Sequence, residues 1–201
     1  MYNLPQSTEI NKALPKTVLY EKFELKPSQQ KAFDADVSRM VITNVLSSHT
    51  LPAVAEGQSV KTIYVVTVQL KRKQYVSGKS IELLSRLIPQ KMVLVLHHDN
   101  KMQLAVHHSR LLTSEWMNED DVDIPILGLD FDKVWENIVA AVGSIVLDNA
   151  ISIDEQLDKD WKRRQTEQKI AQLEKCARTE KQPLKKYELH KMLQELKLKI
   201  K

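Results

Sequence analysis

The sequence predicts an α+β fold: a mixed β-sheet covered by helices, followed by a basic C-terminal two-helix, coiled-coil-like arm. Three observations predict it. β-branched residues crowd positions 60–70, with apolar residues at helical spacing soon after them. Two further apolar runs, 92–96 and 102–106, flank the short polar loop Asp99-Asn100-Lys101. The stretch after residue 150 then loses glycine and most of its apolar content while gaining charge. Residues 1–150 therefore read as an α+β body and residues 151–201 as a helical arm.

Taken in order, Ser7 or Thr8 is placed to cap a short helix ending before Pro15, and a second short helix covers 18–23. After Lys26-Pro27, Ser28 is a favourable N-cap for a longer helix through 46, because Phe33, Val37, Met40, Val41 and Val45 fall on one stripe. Residues 60–70, with Ile63, Val65, Val66 and Val68, form a strand that runs out into Lys71-Arg72-Lys73. Ile81, Leu84, Leu87 and Ile88 recur at helical spacing until Pro89 stops the turn. Residues 92–96 and 102–106 pair as a hairpin, and 111–117 adds a weaker third strand. Asp130 caps a helix running to about residue 147, with Val134, Trp135, Ile138, Val139, Val142 and Ile145 on its apolar side. The arm contains one helix over 154–181 and, beyond Pro183, a second over 184–200.

Charge separates the two parts. Residues 1–150 carry 16 basic and 17 acidic side chains, whereas residues 161–201 carry 13 basic and 5 acidic. A neutral body with a basic appendage suits contact with nucleic acid or with an acidic protein surface. In the arm, Trp161, Leu189, Met192, Leu193, Leu196 and Ile200 are the apolar residues available for a partner. Lys162, Arg163, Arg164, Lys169, Lys185 and Lys186 are the cations available for phosphates.

Several function classes are excluded. With four glycines, at 57, 78, 128 and 143, the chain has no Gly-rich phosphate cradle and no dinucleotide fingerprint. The single Cys176 forms no intramolecular disulfide, and it lies in the polar arm without a neighbour to activate a thiolate. The first ten residues carry Asn3, Gln6, Ser7 and Glu9 where a secretory signal needs a basic start and an apolar run. A soluble cytoplasmic protein is expected, without membrane contact.

Two constellations invite chemistry. The doublets His97-His98 and His107-His108 place four imidazoles in twelve residues, yet hairpin pairing holds the doublets roughly 15 Å apart, and adjacent rings point to opposite faces. No shared metal site and no cofactor is expected. Gln69-x-Lys71 at a strand end, with Glu56 upstream, has the form of a Mg²⁺-dependent nuclease motif in which an amide replaces one acid. A nuclease of this type, or a sequence-independent nucleic-acid binder acting through the basic arm, is the alternative to a non-catalytic accessory role.

Several short blocks, in order, resemble a bacterial family of unknown function. They are Pro5-Gln6-Ser7-Thr8-Glu9-Ile10-Asn11-Lys12, Pro15-Lys16, the aromatic turn from Tyr20 to Phe23, Leu87-Ile88-Pro89 leading into Met92-Val93-Leu94-Val95-Leu96, and Val134-Trp135-Glu136-Asn137-Ile138-Val139 after Gly128. The likeness spans nearly the whole chain, including its Lys-rich end. Pro89-Gln90-Lys91 departs from the Pro-Tyr pair usual before the central strand. Members of that family are often encoded beside DNA helicases and DNA methyltransferases in restriction-like antiviral loci. The resemblance thus implies an accessory subunit that docks on such an enzyme, and it carries over no catalytic residue.

Overall fold

A computed structural model describes residues 2–71, 78–148, 150–180 and 182–198. The chain divides into two units, Met1–Val146 and Leu147–Lys201. The first unit is a mixed sheet with helices on both faces, so the expected α+β class holds. Its strands are β1 (Glu9–Ala13), β2 (Val37–Ser47), β3 (Thr62–Leu70), β4 (Lys91–His98), β5 (Lys101–His107), β6 (Leu111–Thr113) and β7 (Met117–Asn118). They lie in the order β1-β2-β3-β4-β5-β6, with β7 also pairing β5. All pairs are antiparallel except β3 and β4. A parallel pair needs a crossover. It is supplied through α3 (Gly78–Ser85).

Register assigns side chains to faces. Met40, Val68 and Leu96 stand side by side, as do Ile42, Val66 and Leu94. They form one core with Leu19 of α1 (Lys16–Lys22), Phe33 of α2 (Pro27–Asp36) and Ile81 and Leu84 of α3. The opposite face buries Ile63, Val65, Val93, Val95, Leu104 and Val106. There α4 (Phe131–Gly143) packs on β3, β5 and β6. Its Phe131, Val134, Trp135, Ile138, Val139 and Val142 are buried, as the apolar stripe requires.

Four expected elements are corrected. The helix read over 28–46 ends at Asp36, and residues from Val37 onward form the long strand β2. Val37, Met40, Val41 and Val45 satisfy helical spacing, but Val37, Val41, Ile42, Thr43 and Val45 are β-branched, and an eleven-residue strand beside β3 pairs their backbone. The N-cap is Lys26 rather than Ser28, with Pro27 as first helical residue and the Gln29 side chain accepting from the Lys26 N–H at 2.8 Å. The short helix before Pro15 is a 3₁₀ turn, Gln6–Thr8, running into β1; Thr8 donates to the Pro5 carbonyl and accepts from Asn44, so it ties the turn to β2 instead of capping a helix. The third strand is interrupted between β6 and β7, where the Ser114 hydroxyl accepts from the Leu104 N–H and takes the place of a ladder bond.

Asp130 caps α4 as expected, accepting from the Lys133 N–H at 2.9 Å. The helix stops at Gly143, because Ser144 turns left-handed at φ 51°. Asp130→Ala is expected to cost about 1 kcal/mol, read as a lower urea midpoint at unchanged slope.

The second unit is α5 (Ile153–Thr179) and α6 (Pro183–Leu198), two helices packed on each other. Ser152 caps α5 by accepting from the Glu155 N–H at 3.3 Å, and Asp154 and Glu155 sit favourably in its first turn. Among the described residues no helix is long and apolar enough to cross a membrane.

Candidate interaction surface

Each helix of the second unit is weakly amphipathic alone, and what they bury comes from pairing. Ala177 and Leu193 are buried on the facing sides. Leu189 and Leu196, one turn either side of Leu193, are half-buried. The Lys197 ammonium meets the Glu174 carboxylate at 2.7 Å across the pair, and that contact holds the Glu174 carboxyl below its ordinary value. Beside this seam runs a groove lined by Arg178, Lys186 and His190.

The expected partner residues therefore separate. Leu193 closes the hairpin, with Leu189 and Leu196 on its side of the helix. Trp161 and Met192 each remain 49% exposed. Ile200 lies outside the described residues. Within α5 and α6, the apolar side chains turned most fully outward are ones the sequence reading missed: Leu184, Tyr187 and Leu198, at 73, 71 and 72% exposed. Their spacing of three and then eleven residues puts them on one helical face opposite Leu193, a signal that was present but weaker than the Leu-rich inner stripe.

The cations separate too. Asp160 accepts from both Arg163 and Arg164 at 2.6 Å, so these two are held on their own helix. Lys162, Lys169, Lys185 and Lys186 are exposed.

The nuclease constellation is not assembled. Ser47 at the end of β2 stands opposite Thr62, and Ser48 donates to the Glu56 carboxylate at 3.0 Å, which places Glu56 near the start of β3. Gln69 lies seven residues along that strand, roughly 23 Å away. Gln69 Oε1 accepts from His97 Nδ1 at 2.5 Å. The Lys71 ammonium donates to the Asp34 carbonyl at 2.8 Å. Asp34 in turn receives Lys16 and Tyr20, each at 2.7 Å, and these hydrogen bonds lower its pKa.

The histidines are equally dispersed. His98 contacts Asp99 at 3.1 Å, His107 Nε2 lies 3.4 Å from Arg86, and His108 Nδ1 accepts from the Trp135 indole at 2.9 Å. Among the described residues no three His, Cys, Asp or Glu side chains converge as metal ligands.

The fold and this surface define a class: an α+β body carrying a basic, self-paired helical hairpin with exposed apolar side chains. The chain belongs to the family described as "Domain of unknown function (DUF4391)", whose model matches residues 2–200. No curated protein and no solved structure matches it.

Proposed function

We propose that the protein is a non-catalytic accessory subunit of a bacterial antiviral, restriction-like DNA-processing complex, and that it docks through its C-terminal hairpin on a larger partner such as a helicase or methyltransferase. One observation carries the reading. After α5 and α6 have closed their own seam, Leu184, Tyr187 and Leu198 still lie mostly in solvent on a unit that is strongly basic from residue 161 onward. Large exposed apolar side chains along one helical face can anchor a protein interface, and the surrounding lysines favour an acidic rim on the partner. Lys162, Lys169, Lys185 and Lys186 are the cations in position to add contact with a DNA backbone, whereas Arg163 and Arg164 are engaged by Asp160.

The test is co-expression with a candidate bacterial DNA helicase or DNA methyltransferase. The full chain is expected to co-purify with that enzyme. The double variant Leu184→Asp, Tyr187→Asp should lose it while keeping its helicity, since both side chains lie outside the hairpin seam. Retention of the enzyme by that variant, or by a chain lacking residues 151–201, overturns the docking assignment. Plasmid cleavage that needs Mg²⁺ and vanishes in Lys71→Ala overturns the non-catalytic reading.

A further inference from the structure

Burial falls away along the second face of the sheet. Val65, Val93 and Val95 are fully buried, while toward the carboxyl ends of the parallel strands β3 and β4 the face turns polar. Arg39, Gln69 and His97 stand in register on β2, β3 and β4. At about 4.8 Å per strand the row spans roughly 10 Å. Asn11, Val41, Thr43 and Thr67 complete, with Arg39 and Gln69, the lining of an open groove.

The strands are irregular just here. β2 slips register between Val37 and Arg39 and again between Ile42 and Asn44, and β1 slips between Glu9 and Lys12. Asn11, inside that last slip, has φ 48°. Bulges re-aim side chains beside binding sites, and a non-glycine residue in the left-handed region stores strain of the kind found there.

Hydrogen bonding decides what the groove offers. Gln69 Oε1 is taken by the His97 Nδ1–H, which leaves the Gln69 NH₂ as a donor. The Thr43 hydroxyl donates to the Val65 carbonyl at 3.2 Å, and the Thr67 hydroxyl donates to Thr43 at 3.4 Å. The Tyr2 hydroxyl lies 2.7 Å from the Thr67 hydroxyl. The Thr43 oxygen is left as an acceptor, and the Thr67 oxygen keeps a lone pair toward the groove. Arg39 is exposed and has no ion pair or hydrogen-bond partner among the described residues.

We infer that this groove binds a small phosphorylated ligand that also carries hydroxyl groups, a sugar phosphate or the sugar-phosphate part of a nucleotide. Its phosphate oxygens meet the Arg39 guanidinium and the Gln69 amide N–H, the pairing that planar charge-assisted donors favour. Its hydroxyls donate to the Thr43 and Thr67 oxygens. His97 is a positioning residue, acting through Gln69.

Isothermal titration of the full chain with ribose 5-phosphate, inorganic phosphate and ribose tests this. Ribose 5-phosphate is expected to bind at one site, phosphate about tenfold more weakly, and ribose not at all. Arg39→Gln should weaken ribose 5-phosphate at least about tenfold, with Arg39→Lys recovering part of the loss. Gln69→Leu should weaken it independently. His97→Asn, which keeps an N–H near the Nδ1 position, should bind better than His97→Ala, an order that a merely structural role would not produce. Absence of ribose 5-phosphate binding at about 10 mM, or affinity unchanged in both Arg39→Gln and Gln69→Leu, overturns the inference.

Discussion

Trp135→Ala is expected to lower stability by about 3–5 kcal/mol, the range for truncating a large buried aromatic. The side chain is 2% exposed on the inner side of α4, where it fills the space between that helix and the second sheet face. Two polar contacts add to the packing: its indole N–H donates to His108 Nδ1 at 2.9 Å, and the Lys91 ammonium lies 5.3 Å from its ring centroid. In a unit of this size each kcal/mol moves the melting temperature by about 2–4 °C, so a drop on the order of 10 °C should appear in a thermal scan. Trp135→Phe separates the contributions. It keeps most of the volume and removes the donor to His108, so its cost should be about 1–2 kcal/mol. Equal losses for the two variants would mean that the hydrogen bond, and not the packing, holds α4 in place.

The contrast between α4 and β2 shows how much of this fold was legible. For α4, every local signal agreed: Asp130 as cap, an apolar stripe of period 3.6 and few competing β-branched runs. For β2, the apolar residues of 37–45 fit a helix and a strand equally, because the bulges at Ser38 and Thr43 shift the alternation away from a clean period of two. Only pairing with β3 resolves the ambiguity, and pairing is a long-range property. Arg39, Val41 and Thr43 share a face by ordinary alternation once the strand is recognised, so reading 28–46 as one helix is what hid them as groove residues. In the arm, the inner stripe Leu189, Leu193, Leu196 was visible as a stripe. Its occupant was not, because an amphipathic helix looks the same whether a neighbouring helix or another protein covers it. Gln69 stood out by its motif, but its partner His97 comes from a strand 28 residues away, and spacing along the chain carries no trace of that meeting.

The second large effect is expected at Asp132, in the first turn of α4. Its carboxylate accepts the N–H groups of Gln58 at 2.7 Å, Ser59 at 3.1 Å and Val60 at 2.7 Å, and so fastens the loop before β3 to the helix. The loop approaches so closely that a Cβ on Gly57 would lie 2.6 Å from the Asp132 Cγ, which makes glycine necessary there. A bridge between Ala55 and Asp130 secures the same junction, with the Ala55 N–H donating to the Leu129 carbonyl at 2.9 Å. Asp132→Ala leaves three N–H groups without their acceptor. Hydrogen bonds to a charged group contribute about 1.5–3 kcal/mol each and do not add when they share one acceptor, so the expected loss is about 3 kcal/mol. Burial pushes the Asp132 carboxyl up, but the N–H groups of Val60, Ser59 and Gln58, with Lys133 nearby, outweigh it and hold the pKa below its ordinary value of 3.8. A carboxyl whose pKa is lowered on folding contributes stability that is fully present above 3.8 and is lost as the pH falls through the folded value. Urea midpoints measured from pH 7 downward should therefore show the gap between the native chain and Asp132→Ala constant to about pH 5 and shrinking below 4. A gap that stayed the same to pH 2 would mean that the ionised carboxylate is not what fastens the loop.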